Sequence, residues 1–328
     1  MKYDIVIIGA GPAGSLAART AAAAGLKTLL IEKRSRIGWP VRCGEGVSPQ
    51  TCQAVGVTVK PYHYVESTDF VSPGGTRIRL STPCYLIDRA QFDQDLADHA
   101  VQHGAELWLN ARATRLIPRK KGFAVAIKKD GKTLILSPKV IIAADGVESE
   151  IARMAGKPAL KLSEVGTAAA VVVEGLIPEP EAMLQHYFGD PSFGYFWAFP
   201  KGHGLANIGV GWIAGKMTRV KPIDVLRQKL STPEYKKAKI LHYTSGAVPM
   251  TRRLRPLHEK NVLFVGDAAR LSNPIIGDGM TPALLSGVLA GKAAVESVLA
   301  DDPGFLASYD SEWSRQSSFG TTLEDMQS

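Results

Sequence analysis

Four short runs of apolar residues, at positions 3–8, 27–31, 140–144 and 261–265, stand out from the mixed pattern of the chain. Runs of this length without polar alternation are typical of strands that are buried on both faces of a parallel sheet. An alanine-rich stretch at residues 13–24 follows the first run and predicts a helix that ends at a glycine. Together these segments predict a strand–helix–strand unit with a right-handed crossover.

The pattern changes in the second half of the chain. Residues 165–174, 183–188, 195–199 and 205–211 predict strands, and residues 201–204, which are Lys-Gly-His-Gly, predict a turn between the last two. Strands joined by short turns are typical of an antiparallel sheet, so we expect such a sheet here.

Two longer helices are predicted, one over residues 88–102 and one from about residue 280 to residue 300. The second contains Gly287 and Gly291 at G-x-x-x-G spacing, and charged residues interrupt its apolar pattern. We therefore expect a buried helix that packs against a sheet through its small residues, and no transmembrane helix.

These elements predict an α/β fold of the α+β kind, in which a Rossmann-like dinucleotide-binding domain carries an inserted antiparallel-sheet domain. We expect the nucleotide-binding domain to be discontinuous, with residues 1–65, 87–155 and 256–328. The substrate-binding sheet domain is expected at residues 66–86 and 156–255.

The first predicted strand ends in the motif Gly9-Ala10-Gly11-Pro12-Ala13-Gly14, which opens the alanine-rich helix. Gly9 allows the tight turn, Gly11 lets the backbone approach a pyrophosphate at the helix N-terminus, and Gly14 permits close helix–strand packing. Glu32 ends the second strand, 23 residues after Gly9, where it can accept hydrogen bonds from ribose hydroxyls. An acid there favours a free 2′-hydroxyl, as in FAD or NAD, over a 2′-phosphate.

Further features favour FAD over NAD. Arg89 lies at the start of a predicted helix, where it can reach a phosphate or the flavin. Asp145-Gly146 and Gly266-Asp267 each follow a parallel-type strand, and the Asp267 carboxylate can bind a ribityl hydroxyl. Residues 277–280, Gly-Asp-Gly-Met, start a helix whose N-terminus stabilises negative charge on a reduced flavin. Asp278 opposes that effect, so we expect either that its side chain turns to solvent or that the flavin potential is lowered.

Charge and cysteine content narrow the class of protein. The chain of 328 residues has 39 Lys and Arg against 31 Asp and Glu, a net charge of +8 that favours anionic partners without choosing among them. Cys43, Cys52 and Cys84 form no C-x-x-C pair. Such a sparse, odd set argues against a disulfide framework or a metal site and fits a reducing cytosol.

Two further motifs are more specific. Residues 40–46 are Pro-Val-Arg-Cys-Gly-Glu-Gly, residues 195–200 are Tyr-Phe-Trp-Ala-Phe-Pro, and residues 207–211 are Asn-Ile-Gly-Val-Gly. With the glycine motif, and in this order, they make the sequence resemble the p-hydroxybenzoate-hydroxylase-like flavoproteins. Within that group it is similar to the geranylgeranyl reductase family, from residue 1 to about residue 315.

The resemblance and the motifs each give a set of expected cofactor contacts. The resemblance implies FAD contacts at Ala13, Glu32, Cys43, Gly44, Gly46, Arg89, Ala113, Asp267, Gly279 and Met280. The motifs and their neighbours add Gly9, Gly11, Pro12, Gly14, Lys33, Arg42, Asp145, Gly146, Gly266 and Gly277.

The aromatic strand fits an apolar substrate. Side chains alternate between the two faces of a strand, so Tyr195, Trp197 and Phe199 share one face while Phe196 and Ala198 take the other. Such a stripe is more often core than ligand wall. The resemblance favours a ligand wall instead, so Tyr195, Trp197 and Phe199 are our candidate substrate residues.

Cys43 is the candidate catalytic residue. A lone cysteine is usually an inert small hydrophobe, but Cys43 lies in a glycine-flanked loop and not in an apolar run. Arg42 favours its thiolate form and Glu45 favours its thiol form. The loop and the resemblance together favour a role at the edge of the isoalloxazine ring.

The resemblance implies an FAD-dependent reductase that saturates C=C bonds of geranylgeranyl or other polyprenyl chains in lipids, lipid precursors or quinones. Only one dinucleotide motif is present, so we expect electrons from transiently bound NAD(P)H, or from ferredoxin or another donor protein. With a lipid substrate and a positive charge, we expect a cytoplasmic protein in peripheral contact with the inner face of the cell membrane, and no nucleic-acid partner.

Two alternatives stay open. One is a flavin-dependent monooxygenase or halogenase of the same fold, because one fold supports many reactions. The other is an electron-transfer flavoprotein that reduces quinone. Proteins of that second kind often add an iron–sulfur module, and three scattered cysteines cannot supply its four thiolate ligands.

Overall fold

The structure is a computed structural model that describes residues 2–175, 181–189, 194–215, 220–273 and 276–316. The chain forms two compact units. Unit 1 comprises residues 1–39, 90–159 and 251–328, and unit 2 comprises residues 40–89 and 160–250.

The strands and helices are numbered here along the chain. The strands are β1 (Ile5–Ile8), β2 (Thr28–Ile31), β3 (Gly46–Val47), β4 (His63–Val71), β5 (Arg77–Leu86), β6 (Glu106–Trp108), β7 (Arg112–Arg119), β8 (Gly122–Lys129), β9 (Lys132–Leu136), β10 (Val140–Ala143), β11 (Val165–Glu174), β12 (Ala182–Tyr187), β13 (Tyr195–Gly202), β14 (Leu205–Ile213), β15 (Lys239–Pro249), β16 (His258–Glu259) and β17 (Val262–Phe264). The α-helices are α1 (Pro12–Ala23), α2 (Pro49–Ala54), α3 (Arg89–Gln102), α4 (Glu150–Met154), α5 (Pro222–Leu230), α6 (Met280–Ala300) and α7 (Ser308–Ser314). Short 3-10 helices lie at Leu162–Glu164, Gly266–Ala269 and Pro303–Ala307.

Unit 1 contains a six-stranded sheet in the order β16-β17-β10-β1-β2-β6. Strands β1, β2, β6, β10 and β17 pair in parallel, and β16 is antiparallel to β17. Every residue of β1, β2, β10 and β17 is buried, as continuous apolar strands in a covered parallel sheet should be. The four apolar runs of the sequence therefore predict β1, β2, β10 and β17 correctly, whereas β6 and β16 were not predicted.

Helix α6 packs against α1 in unit 1. A Cβ on Gly287 would overlap the Ala13 carbonyl oxygen, and a Cβ on Gly291 would lie 2.8 Å from the Thr20 Cβ atom. Gly287 and Gly291 therefore serve contact with helix α1, and α6 also contacts strand β10 of the sheet. By length and composition α6 could cross a membrane, but 56% of its most apolar stretch is buried inside the protein, as in a core helix.

A three-stranded antiparallel sheet, β7-β8-β9, also belongs to unit 1 and was not predicted. Asn261 fixes its middle strand, because its side-chain Oδ1 accepts the Phe123 N–H at 2.7 Å and its Nδ2 donates to the Phe123 carbonyl at 3.1 Å. These strands mix charged and apolar residues, which makes their pattern weaker than that of the buried parallel strands.

Unit 2 contains an eight-stranded sheet in the order β15-β11-β14-β13-β12-β4-β5-β3. All neighbouring pairs are antiparallel except β12 and β4. The predicted antiparallel strands form β11 to β14. Helix α5 covers one face, where Phe196 and Ala198 pack with Leu226 and Leu230. The other face carries Trp197 and Phe199, so the predicted alternation of the aromatic strand is confirmed.

The division into units differs from the predicted domain boundaries. Residues 40–65 lie in unit 2, because β3 and β4 both pair with β5. Residues 87–89 also lie in unit 2, whereas residues 156–159 and 251–255 lie in unit 1. A strand pairing between distant segments leaves no mark on the local apolar pattern, so the boundary near residue 40 had no sequence signal.

Candidate functional site

The carboxyl ends of four parallel strands meet at one edge of the unit 1 sheet. Gly9 follows β1, Glu32 follows β2, Ala144 follows β10, and Val265 with Gly266 follows β17. The chain passes from β1 to β2 on one side of β1 and later returns to β10 on its other side. Such a reversal of strand order is where open α/β sheets bind ligands.

Gly9 and Gly14 are required by the packing of the protein itself. Gly9 has a φ of +106°, and a Cβ there would overlap the Ala144 carbonyl oxygen. A Cβ on Gly14 would overlap the Gly9 carbonyl oxygen. These two glycines bring α1 against the end of β1, as the sequence motif predicts.

Gly11 differs from its neighbours because the fold does not require a glycine there. Its φ is −76°, which any residue adopts, and a Cβ would meet no described protein atom within 4 Å. It is the N-cap of α1, and that helix has neither a side-chain cap nor an acid in its first turn. An open backbone surface at an uncapped helix N-terminus fits the diphosphate of a dinucleotide.

Glu32 is buried beside this corner. Its Oε2 accepts the Ala10 N–H at 3.2 Å and its Oε1 accepts the Arg34 N–H at 3.0 Å, so the carboxylate is fixed at the end of β2. A carboxylate has about four lone-pair sites, so both oxygens retain acceptor capacity for ribose hydroxyls. Lys33 is exposed.

Asp145 supports the start of α4. Its carboxylate accepts the Ser149 hydroxyl at 2.6 Å and the Ile151 N–H at 3.1 Å. Burial raises the pKa of Asp145, and these hydrogen bonds oppose that shift. The structure therefore gives this side chain a local structural role, whereas Gly146, with a φ of +83°, shapes the turn.

Gly266, Asp267 and Gly279 lie together in unit 1. The Gly266 N–H donates to the Ser286 hydroxyl at 3.0 Å, and a Cβ on Gly266 would lie 3.3 Å from the Ala13 Cβ atom. Asp267 Oδ1 accepts the Ser272 hydroxyl at 2.8 Å, and a Cβ on Gly279 would lie 3.3 Å from the same oxygen. Sequence-distant candidates from α1, β17 and α6 therefore meet, as expected for one cofactor site.

Asp278 caps helix α6. Its Oδ1 accepts the N–H groups of Met280 at 2.9 Å and Thr281 at 3.2 Å. The expectation that this side chain turns to solvent is therefore wrong. The carboxylate places a negative charge at the helix N-terminus, which leaves a lowered flavin potential as the prediction.

The loop of residues 43–46 lies against the sheet of unit 2 through its glycines. A Cβ on Gly44 would lie 2.9 Å from the Phe199 ring, and a Cβ on Gly46 would lie 2.9 Å from Cys84 Sγ. Arg42, just before the loop, is exposed. The two glycines therefore allow the close approach of this loop to the aromatic strand.

Glu45 is buried, and its carboxylate is held by Lys201 and Asn207. Its Oε2 lies 2.5 Å from Lys201 Nζ and accepts Asn207 Nδ2 at 3.0 Å. The Cys43 sulfur instead accepts the backbone N–H of Glu45 at 3.2 Å.

Tyr195, Trp197 and Phe199 form a row on one face of β13. Ring centroids lie 5.8 Å apart for the first pair and 6.3 Å for the second. The Trp197 indole lies over Gly209 of β14, where a Cβ would overlap it, which explains the small residue in the Asn-Ile-Gly-Val-Gly motif. Trp197 and Phe199 are buried with Val65 and Tyr195 is partly exposed, so Tyr195 is the most accessible of the three.

The predicted cofactor contacts are distributed over both units. Most of them lie in unit 1, namely the glycine corner, Glu32, Asp145, Gly146, Gly266, Asp267 and Gly277 to Met280. Ala113, which is buried in β7, lies in unit 1 as well. Arg42 to Gly46 and Arg89 lie in unit 2. Within unit 2, the Arg89 N–H lies 3.5 Å from Glu45 Oε1.

Sequence reasoning missed Lys201 and Asn207 as members of the site. Lys201 was assigned only to a turn, although the alternation that groups residues 195, 197 and 199 extends to position 201. Asn207 pairs with Phe199 across the hairpin, so its position on the same face could have been inferred from the turn. Among the described residues, no cluster of His, Cys, Asp or Glu could hold a metal ion.

Comparison with known proteins agrees with this geometry. A family model described as FAD binding domain matches residues 2–317. A geranylgeranyl bacteriochlorophyll reductase-like protein of Thermoplasma acidophilum is 31% identical, with a TM-score of 0.91 over 96% of this chain and 84% of that one. A flavin-dependent brominase, 21% identical with a TM-score of 0.80 over 96% of this chain and 84% of its own, shows the shared fold alone.

The fold and the glycine corner, with these matches, define a flavoprotein that binds FAD and has the p-hydroxybenzoate-hydroxylase-like architecture. Digeranylgeranylglycerophospholipid reductase of Methanosarcina mazei is 39% identical over 316 residues, 92% of this chain and 77% of the relative. Digeranylgeranylglycerophospholipid reductase 2 of Methanopyrus kandleri is 34% identical over 99% of this chain and 85% of its own length. The chain belongs to the digeranylgeranylglycerophospholipid reductase family and is an FAD-dependent oxidoreductase.

Proposed function

We propose that the protein saturates C=C bonds in the geranylgeranyl or other polyprenyl chains of lipids, lipid precursors or quinones. The observation that carries the proposal is the joined pair of motifs in unit 2, where Asn207 connects the loop that holds Cys43 to the aromatic strand. The names of the relatives support the same substrate class.

The reaction needs a hydride and a proton on the two carbons of an alkene. Bound and reduced, FAD supplies the hydride. An isolated trisubstituted alkene is poorly electrophilic, so proton delivery leads or accompanies hydride delivery, and positive character develops at the tertiary carbon. The protein positions the alkene and excludes water, and aromatic faces such as that of Tyr195 stabilise positive charge.

Cys43 is the proposed residue that shapes proton delivery, directly or through a water molecule. Cys43 is partly exposed, and its sulfur accepts the Glu45 N–H. We expect Cys43→Ala to bind FAD normally and to reduce geranylgeranyl lipid at least about tenfold more slowly, as general acid catalysis contributes roughly 100-fold or more. Reduction at the wild-type rate would exclude this role.

The substrate class is tested by mass spectrometry. The purified flavoprotein is reduced with dithionite and given geranylgeranyl diphosphate, an unsaturated ether-linked glycerophospholipid or menaquinone. A mass gain in steps of two hydrogens on the polyprenyl chain, measured for menaquinone after its ring is reoxidised, is the expected result and identifies the substrate. Oxygen consumption with hydroxylated or halogenated product would instead favour the monooxygenase or halogenase alternative, and reduced quinone with intact double bonds would favour electron transfer.

Peripheral contact with a membrane is part of the proposal, as is a location in the cytoplasm. A lipid substrate and a net charge of +8 support it. We expect the protein to sediment with vesicles that contain anionic lipid and to be released by salt. Equal binding to neutral and anionic vesicles would contradict an electrostatic contact.

A further inference from the structure

A polar network lies inside the sheet of unit 2, beside the aromatic row. Glu45, Lys201 and Asn207 have 3%, 5% and 1% of their surface exposed. Asn207 Nδ2 donates both to Glu45 Oε2 at 3.0 Å and to the Cys43 carbonyl oxygen at 3.1 Å. The Trp197 indole N–H donates to Asn207 Oδ1 at 2.9 Å.

Stability does not explain such a network. Removing two charges from water costs several kcal/mol per ion, and a well-packed apolar set of similar volume is often at least as stable. Glu45 also has a φ of +70°, an uncommon conformation for a residue with a side chain, although glycine stands on both sides of it. The position retains a glutamate despite both costs, which points to a use for its carboxylate.

The network joins the groups that the proposed chemistry needs. One amide, that of Asn207, contacts both the backbone of Cys43 and the ring of Trp197. Glu45 orients that amide, and its own carbonyl accepts the Ile87 N–H at 3.0 Å, which holds the loop against the end of β5. Lys201 neutralises the Glu45 carboxylate at 2.5 Å and lies over the Tyr62 ring at 5.2 Å.

We propose that Asn207 and Glu45 are positioning residues for Cys43: they lock the loop of residues 43–46 to the aromatic strand, and Lys201 is the counter-ion that lets Glu45 do so. The function of this lock rests on the proposed reductase activity. The existence of the lock does not rest on that activity, because it can be measured without substrate.

Alkylation of cysteine tests the lock. The FAD-loaded protein is treated with iodoacetamide and the rate at each cysteine is followed by peptide mass spectrometry. Cys43 is partly exposed, whereas Cys52 is buried in α2 and reports opening of the rest of unit 2. Cys84 is buried too, but its sulfur lies against Gly46 of the loop and does not serve as a control. Loss of a hydrogen bond to a charged group corresponds to about tenfold or more in an opening equilibrium. We expect Asn207→Leu to raise the rate at Cys43 by about that factor, with an unchanged rate at Cys52.

Thr68→Val is the matched control, because Thr68 is a buried polar residue of the same sheet whose hydroxyl pairs with Thr82 at 2.6 Å and does not contact the loop. It should leave Cys43 unchanged. If Asn207→Leu does not fold, Asn207→Ser, which is too short to reach the Cys43 carbonyl, takes its place. An unchanged Cys43 rate, or equal increases at Cys43 and Cys52, would overturn the proposal.

Turnover gives a second readout that a merely structural role would not move. Asn207→Leu should lower kcat with little change in KM when Cys43 is present, and should add little further loss in a Cys43→Ala background. Additive losses would contradict positioning through Cys43. An enzyme that reduces no polyprenyl lipid, yet shows selective exposure of Cys43, would refute the proposed function and leave the lock intact.

Discussion

The edge of the unit 1 sheet that carries the glycine corner is formed mainly by backbone atoms, whereas the face of the unit 2 sheet that carries the aromatic row is formed by side chains. In unit 1, Gly9, Gly11 and Gly14 serve the site because they have no side chain, and all three lie within six consecutive residues. In unit 2, Glu45 contacts Lys201 and Asn207, which lie 156 and 162 residues further along the chain. A site built from backbone is readable from local sequence, and a site built from buried side-chain pairs depends on the completed fold.

The glycine corner should show the largest effect of a single substitution. Gly14→Ala places a Cβ on the Gly9 carbonyl oxygen, so we expect a loss of more than about 4 kcal/mol in the free energy of unfolding. Gly11→Ala meets no described atom and should change the stability of the FAD-free protein by less than about 1 kcal/mol. Its FAD affinity should nevertheless fall about 100-fold, equivalent to roughly 3 kcal/mol.

Chemical denaturation of the FAD-free variants and titration with FAD measure both quantities. The two alanines thereby separate a glycine that serves the fold from one that serves the ligand. Normal FAD affinity in Gly11→Ala would remove the assignment of this corner to the diphosphate.

The buried ion pair of unit 2 should show the next largest effect. Lys201→Met leaves the Glu45 carboxylate buried without its counter-ion, which we expect to cost about 3 kcal/mol in unfolding free energy. The double variant Lys201→Met with Glu45→Gln removes both charges and should recover most of that loss. Denaturant midpoints compare the three proteins, and a double variant less stable than Lys201→Met would contradict the pairing.

Asp278 should have a smaller effect, on the cofactor and not on the fold. Asp278→Asn keeps an acceptor for the Met280 and Thr281 N–H groups but removes the negative charge from the start of α6. Removing that charge favours the anionic reduced flavin, so the two-electron potential should rise by roughly 10–40 mV. Asp302→Asn is the control, since Asp302 caps a different helix of unit 1 through the Gly304 N–H. Equal two-electron potentials in wild type and Asp278→Asn would show that the Asp278 charge does not affect the flavin.

Asp69 should give the smallest effect, because its partners are half-exposed. The hydrogen bond from Arg79, with the charges of Arg79 and Arg77, lowers the pKa of the buried Asp69 against the opposing effect of burial. A lowered folded-state pKa adds stability above the unfolded pKa, and this stability is lost as pH falls through the folded value. Asp69→Asn should therefore cost about 1 kcal/mol near neutral pH and nothing in strong acid.

Unfolding curves at neutral and acid pH follow that difference. Glu174→Gln, in the exposed pair with Lys239, should change stability by much less at either pH. A constant penalty for Asp69→Asn across the pH range would show that its charge is not what matters.

The comparison also shows how far sequence reasoning reaches. Strands β1 and β2, α1, the glycine corner and Glu32 were predictable because each depends on neighbours within one strand–helix–strand unit. Strands β10 and β17 followed from their short apolar runs, whereas β6 was not predicted. Strands β11 to β14 and the faces of β13 followed from the local pattern and the turns, whereas β4, β5, β15 and the sheet β7-β8-β9 were not predicted. The contacts of Glu45 with Lys201 and Asn207 could not be predicted, because nothing in the sequence around a glycine-flanked glutamate indicates a lysine 156 residues away.

Asp278 shows a second kind of limit. The sequence located it correctly at the start of α6, and simple electrostatics identified the conflict with an anionic flavin. It did not indicate that the carboxylate turns back to cap its own helix, because capping and solvation compete within a few tenths of a kcal/mol to about 2 kcal/mol. Rotamer choices at that energy scale depend on the local backbone.

Anaerobic reoxidation of the reduced flavoprotein by a digeranylgeranyl glycerophospholipid tests the central claim most directly. The account predicts that the oxidised flavin spectrum returns without oxygen, with one saturated double bond per flavin reoxidised. A flavin that stays reduced until air is admitted, with the lipid unchanged, would contradict it.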